Sequence, residues 1–243
     1  MRLKDEWSRR ALSPVRDFFV ASGPGWDDPA EQVRSAKVGV DFFLTGLDPR
    51  WLARCSVLEI GCGNGRLVHH LRPLVRDYTG IDIAAGMVEE ARRRCADYDG
   101  VRFFECDGLA VPVAAADREY GFIVSAGAFI HCPKDVIGSL VRSAWALAAP
   151  GARMRYQVYA DLTDPTGLDP TVDWAALHRA ATAQKSDAPA ESEALIADHY
   201  FEGHRFRVDE ARAYFERCLG ARVELHRPTP MDVWVDVRRS AGA

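Results

Sequence analysis

Between residues 55 and 159 the sequence alternates short β-branched and aromatic runs with amphipathic helical stretches, and the first run ends in the glycine-dense EIGCGNG, residues 59–65. CSVLEI (55–60), DYTGIDI (77–83), VRFFEC (101–106), EYGFIVSA (119–126) and ARMRYQVY (152–159) read as five strands. Leu67, Val68, Leu71, Leu74 and Val75 mark a helix after the first strand, shortened by Pro73, and residues 86–96 carry another. Val136, Ile137, Leu140, Val141, Ala144 and Leu147 form a third helical stripe that ends at Pro150-Gly151. Strands that alternate with helices pair in parallel through right-handed crossovers, with helices on both faces of the sheet. The expected fold class is α/β, doubly wound.

The flanks add to this core. Trp7, Ala11, Leu12, Val15, Phe18 and Phe19 recur at helical spacing over residues 3–20, where Pro14 should kink or divide the helix. Val33, Val40, Phe43, Leu44 and Leu47 mark a second helix over residues 30–47, so residues 1–50 read as an N-terminal helical cap on a core of 51–243. Residues 160–205 break the rhythm with turn-rich DLTDPTGLDP, a helix around Trp174 to Thr182, and the loop SDAPAES before EALIADHYF. So long an excursion is either a lid that contributes to a substrate chamber, the expectation carried forward, or merely a tolerated insertion. A helix over 208–219, capped by Gly220, then leads to RVELHR and MDVWVDVR, an antiparallel pair joined by the PTP turn at the end of the sheet.

Charge and cysteine usage exclude several classes. With 31 basic and 35 acidic residues the net charge is −4, which gives no general pull toward nucleic acid or anionic membrane. The six cysteines form no CxxC pair and no zinc-like spacing, so free thiols in a reducing compartment, and no metal, are expected. MRLKDEWSRR lacks a signal-peptide core and no apolar run reaches the roughly 20 residues that span a bilayer. The expectation is a cytoplasmic protein.

In an open α/β sheet, ligands bind beyond the carboxyl ends of the strands, where the first strand-to-helix turn offers backbone N–H groups. Gly61, Gly63 and Gly65 occupy that turn. The dinucleotide pattern GxGxxG would need its third glycine where Arg66 stands, which disfavours NAD. Asp82 ends the second strand, where a carboxylate accepts hydrogen bonds from ribose hydroxyls, and Asp107 follows the third strand within reach of an adenine amino group. These groups also have purely structural readings: a tight turn for the glycines, an N-cap for Asp82, a turn cap for Asp107 and core packing for Met87.

In sequence order, VLEIGCGNGRL, YTGIDIAAGMVEEAR, FFECDGLAVP, EYGFIVSAGAFIHCP and LAAPGARM resemble the successive motifs of the class I S-adenosylmethionine-dependent methyltransferases, especially their small-molecule branch. The resemblance covers residues 52–158 well, and departs from the family where Tyr120-Gly121 replaces a common Phe-Asp. It implies a Rossmann-like seven-stranded sheet with an antiparallel last strand, and S-adenosylmethionine as cofactor with S-adenosylhomocysteine as product. It further implies that Gly61, Gly63, Asn64 and Gly65 lie against the methionine and ribose, Glu59 orients that loop, Asp82 with Ile83 binds the ribose, and Met87 covers the adenine. Asp107 with Gly108 would bind adenine, and Ser125 with Ala126 would sit near the methionine.

Methyl transfer from a sulfonium needs neither a metal nor a covalent intermediate. Collinear positioning supplies up to ~7–11 kcal/mol in favourable intramolecular cases, and a general base adds about 10²–10⁴-fold when the acceptor must lose a proton. His131, after the fourth strand, is the first base candidate; His199 and His204 follow the insertion, and His204 is the second. Trp7, Phe18, Phe19, Trp26 and Trp174 are candidates for an apolar acceptor pocket, and Arg10 for the cofactor carboxylate. The expected function is transfer of a methyl group to oxygen or nitrogen of a small-molecule acceptor. A non-catalytic cofactor-binding regulatory or scaffold protein is the alternative, whereas a nicotinamide-dependent reductase lacks its YxxxK pair here. On the ribose assignment, Asp82→Ala weakens S-adenosylhomocysteine binding by roughly 1–3 kcal/mol in calorimetric titration; unchanged affinity would contradict it.

Overall fold

The computed structural model describes residues 2–22, 25–174, 176, 189–192 and 204–241. The chain opens with α1 (Arg2–Leu12), which stops before Pro14, and a short 3₁₀ turn over Arg16–Phe19 takes up the rest of the apolar stripe. Two helices then begin at Asp-Pro steps, α2 (Pro29–Leu44) and α3 (Pro49–Leu52). In each, the aspartate oxygen accepts an N–H of the first turn at 2.8 Å and proline occupies the first helical position, where its missing N–H costs nothing.

The core follows as β1 (Ser56–Ile60), α4 (Val68–Leu71), β2 (Asp77–Asp82), α5 (Ala85–Arg94), β3 (Val101–Glu105), β4 (Tyr120–Ser125), α6 (Lys134–Ala146) and β5 (Ala148–Ala160). Pro73 reduces the first crossover helix to one α turn and a 3₁₀ turn over Arg72–Leu74. The last elements are β6 (Arg205–Phe206), α7 (Val208–Leu219), β7 (Val223–His226) and β8 (Asp232–Arg238). Gly220 ends α7 in the left-handed region at φ +60°, the conformation that makes glycine the usual residue there.

The strand order is β3-β2-β1-β4-β5-β8-β7. β1 to β5 run parallel, and β8 is antiparallel to both β5 and β7. From β1 the chain winds outward to β2 and β3, then returns to lay β4 and β5 on the other side. The carboxyl ends of β1 and β4 therefore flank the topological switch point. The expected seven strands are present, and the two-residue β6 joins them by pairing with β5.

β5 departs from the sequence reading. It begins at Ala148, so Pro150-Gly151 lies inside the strand and does not end the preceding helix. The register shifts between Tyr120↔Ala148 and Phe122↔Arg153, and this irregularity accommodates the proline and the positive φ of Gly151. Of the 160–205 insertion, most of the expected helix from Trp174, the first three residues of the SDAPAES loop and the whole of EALIADHYF, His199 included, fall outside the described residues.

Side chains alternate between two cores. Leu58, Ile60 and Ile123 face α6 and α7, whereas Val57, Phe122 and Val124 face α2, α4 and α5. On the second face Phe43 meets Trp234 of β8 edge-to-face at 4.2 Å. Arg155 of β5 donates to the carbonyls of Phe43 and Thr45 at 2.6 and 2.7 Å, which satisfies the frayed end of α2. Arg155 and Arg153 both grip the buried Asp236. The N-terminal cap is thus bonded into the sheet. Among the described residues no helix is long and apolar enough to cross a membrane.

Phe43→Ala removes the aromatic anchor of α2 at a position only 1 % exposed. It costs about 3–5 kcal/mol, read as a lower urea midpoint at unchanged slope.

Candidate active site

At the switch point a cavity of about 350 Å³ opens over the glycine turn. Gly61, Gly63 and Gly65 all have positive φ, and two of them also solve a packing problem. A Cβ on Gly61 would stand 2.1 Å from the Ala128 methyl, and one on Gly65 would stand 2.9 Å from the Cys95 sulfur. Gly65 therefore packs against α5 and lies outside the cavity wall, whereas Gly61 and Gly63 line it.

The turn is held from the next strand. Gly61 and Cys62 donate their N–H groups to the Ile81 carbonyl at 2.7 and 3.0 Å. One Asp82 oxygen accepts from the Gly63 N–H and the other from the Ala84 N–H, each at 2.9 Å. Burial raises the Asp82 pKa, while these backbone donors pull it back down. Each oxygen retains lone-pair capacity beyond its backbone bond, so Asp82 holds the residue before α5 and still presents an acceptor to the cavity.

Glu59 projects from β1 into the same cavity, 2 % exposed, and accepts a hydrogen bond from the Tyr78 hydroxyl. Burial drives its pKa up to about 7, against the opposing influences of Tyr78 and Arg66. Ile83, Met87, Gly108 and Ala126 complete this side of the wall. Met87 is buried against Ala11 and Ala84, so α1 closes over the start of α5.

Four residues expected at the cofactor have other surroundings. Asn64 is fully buried and donates to Asp17 at 3.1 Å and Gln32 at 2.7 Å, linking the turn to the N-terminal cap. Ser125 donates to the Ile60 carbonyl at 2.8 Å, bracing the ends of β1 and β4. Asp107 is exposed, and its carboxylate accepts from the N–H groups of Leu109 and Ala110 at 2.7 and 3.0 Å. Gly65 is the fourth, for the packing reason given above.

The opposite wall is aromatic. Trp7, Phe18 and Phe19 reach the cavity from the N-terminal segment, and His131 faces Trp7 with ring centroids 5.2 Å apart. Gln157 and Tyr159 arrive from the end of β5. His204 is exposed at the start of β6 and is not part of the wall, nor are Trp26 and Trp174. Arg10 is buried beneath this surface, its guanidinium 4.8 Å from the Trp7 ring and 5.8 Å from the Phe19 ring, without lining the cavity.

Sequence reading missed Arg66, Cys106, Cys132, Gln157 and Tyr159 as wall residues. For Gln157 and Tyr159 the signal was their shared parity at the carboxyl end of a strand. Burial pushes the Cys106 and Cys132 thiols up to about 12, so neither is a ready nucleophile. Elsewhere Glu224, His226 and Asp236 hold ligand atoms within 4.8 Å of one another, but Asp236 is already neutralised by Arg153 and Arg155.

Residues 57–151 match the family described as "Methyltransferase domain". A malonyl-[acyl-carrier protein] O-methyltransferase of Anoxybacillus flavithermus (strain DSM 21510 / WK1) is 31% identical over 101 residues, which are 36% of this chain and 34% of that protein. The match thus spans about a third of the relative's length. Among solved structures, a DhpI–SAH complex superposes with a TM-score of 0.62 at 18% identity, covering 99% of this chain and 98% of the other. Magnesium protoporphyrin IX methyltransferase (ChlM) from Synechocystis PCC 6803 with bound SAH gives 0.56 at 16% identity, covering 97% and 94%. At these identities the likeness is one of fold.

The buried Glu59 carboxyl binds its proton more tightly when folded than its ordinary value of 4.5 would allow. Its contribution to stability is therefore lost as pH rises from about 4.5 through about 7. Glu59→Gln removes that loss, on the order of 2–3 kcal/mol, so urea midpoints of the ligand-free variant and wild type should diverge with rising pH. Parallel profiles would contradict the assignment.

Proposed function

From the match of residues 57–151 to a methyltransferase domain family, we propose that this chain transfers a methyl group from S-adenosylmethionine to an oxygen or nitrogen of a small-molecule metabolite, releasing S-adenosylhomocysteine. The observation that carries this reading is one cavity with two chemically distinct walls at the sheet's switch point. One wall offers carboxylates and a glycine turn, the other an aromatic surface with a histidine. The residues present fit the cofactor: Asp82 has acceptor capacity for ribose hydroxyls, Glu59 for an ammonium, and Met87 and Ile83 an apolar surface for a purine.

When bound, the cofactor supplies a methyl group already activated on a sulfonium. The chain's own task is positioning. Trp7, Phe18 and Phe19 hold the acceptor and exclude water, and His131 accepts the proton that an acceptor hydroxyl gives up as the new bond forms, or that a neutral amine releases once it has been methylated. We assign the acceptor chamber to residues 1–50 and to the 160–205 insertion. The insertion leaves the core just after Tyr159, a wall residue, and rejoins it at Arg205, whose guanidinium lies 5.2 Å from the Tyr159 ring. Both its ends thus converge on the cavity.

The test combines isotopically labelled S-adenosylmethionine with a panel of phenols, carboxylic acids and amines. Labelled product supports the reading; cofactor binding without product across the panel favours the non-catalytic alternative. His131→Ala lowers kcat for a hydroxyl acceptor by about 10²–10⁴-fold, with S-adenosylhomocysteine affinity changed by less than about threefold. An unchanged kcat would remove His131 from the mechanism.

A further inference from the structure

Arg66 is the first residue after the glycine turn, and sequence logic treats it as an obstacle to a diphosphate. In the structure it lines the cofactor cavity together with Glu59 and Asp82. It is half-buried, and the charge acting on it is the Glu59 carboxylate. Among the described residues, its guanidinium makes no hydrogen bond, and no ion pair within 4.0 Å. Other partly buried arginines do differently: Arg94 is bonded to Asp17, Glu90 and Gln32, and Arg155 to Asp236 and two carbonyls. A half-buried guanidinium that lines a cavity and makes no hydrogen bond of its own has donors to offer a ligand.

We infer that Arg66 holds the α-carboxylate of the cofactor's amino-acid end while Glu59 takes its ammonium. This assignment rests on the cofactor reading given above. The chemistry matches in both sign and geometry: the guanidinium fork pairs with a carboxylate through two parallel N–H···O bonds, and the neighbouring Glu59 supplies the complementary anion for a zwitterion. Arg10, the other candidate for this role, lies under the aromatic wall and outside the cavity.

Calorimetric titration of wild type and Arg66→Met with S-adenosylmethionine and with its decarboxylated form separates this contact from the rest of the site. Arg66→Met weakens S-adenosylmethionine binding about 10- to 100-fold. The same substitution leaves the decarboxylated form within about threefold, so the preference for the carboxylate disappears. Arg66→Lys, which keeps a charge but not the fork, restores part of that preference. It also carries the test if the methionine variant does not fold, as thermal melting without ligand would reveal.

Equal loss for both compounds would mean that Arg66 only supports Glu59 and the turn, and would overturn the assignment. No loss for either would place its target on the acceptor, and would also overturn it. Failure of wild type to bind either S-adenosylmethionine or S-adenosylhomocysteine would instead sink the cofactor reading, and this inference with it.

Discussion

The Asp82 carboxylate holds together the parts of the site that the chain delivers separately. With one oxygen on the Gly63 N–H and the other on the Ala84 N–H, it fixes the glycine turn after β1 to the start of α5 after β2. Removing water from a carboxylate is costly, and the two backbone donors offset that cost in place. The cavity floor, the cavity-lining Met87 and the packing of α1 over α5 all refer back to this arrangement. A single buried acid anchors both the glycine turn and the approach to α5 while facing the cavity.

A second set of polar bonds fastens the roof to the floor. Asn64 of the turn reaches Asp17 and Gln32, Arg94 of α5 reaches the same two residues, and Glu90 collects Arg16, Arg93 and Arg94. The Glu90 carboxyl is held down to about 2 by these guanidinium groups, first Arg93. With Phe18 and Phe19 in the cavity wall next to Asp17, the geometry of the aromatic wall is set by bonds made beside the glycine turn.

The core strands and the glycine turn were legible because hydrophobic period and turn chemistry are local properties. Eight of the twelve residues expected at the cofactor line one cavity. Side-chain direction was not legible. Asn64 sits inside the motif, but its partners lie 47 and 32 residues away, and nothing near it in sequence announces them. Asp107 and Ser125 satisfy neighbouring backbone groups, the use to which short polar side chains are most readily put. Arg66 was read for its bulk against a dinucleotide; its place over the cavity is a matter of side-chain direction and was not legible. Pro150-Gly151 looked like a helix stop because the irregular register that admits it into β5 is a relation between two strands.

The bonds joining Asp17 to Asn64 and Arg94 span 47 and 77 residues of chain. Contacts of such separation close large loops, and the entropy of closure must be met before they give anything back. The N-terminal segment is therefore held by contacts that are costly to close on their own. Asp17 and Arg16 find their charged partners on α5, which itself rests on the sheet. The roof thus depends on the floor, and the aromatic wall keeps its shape only while the sheet beneath it is intact.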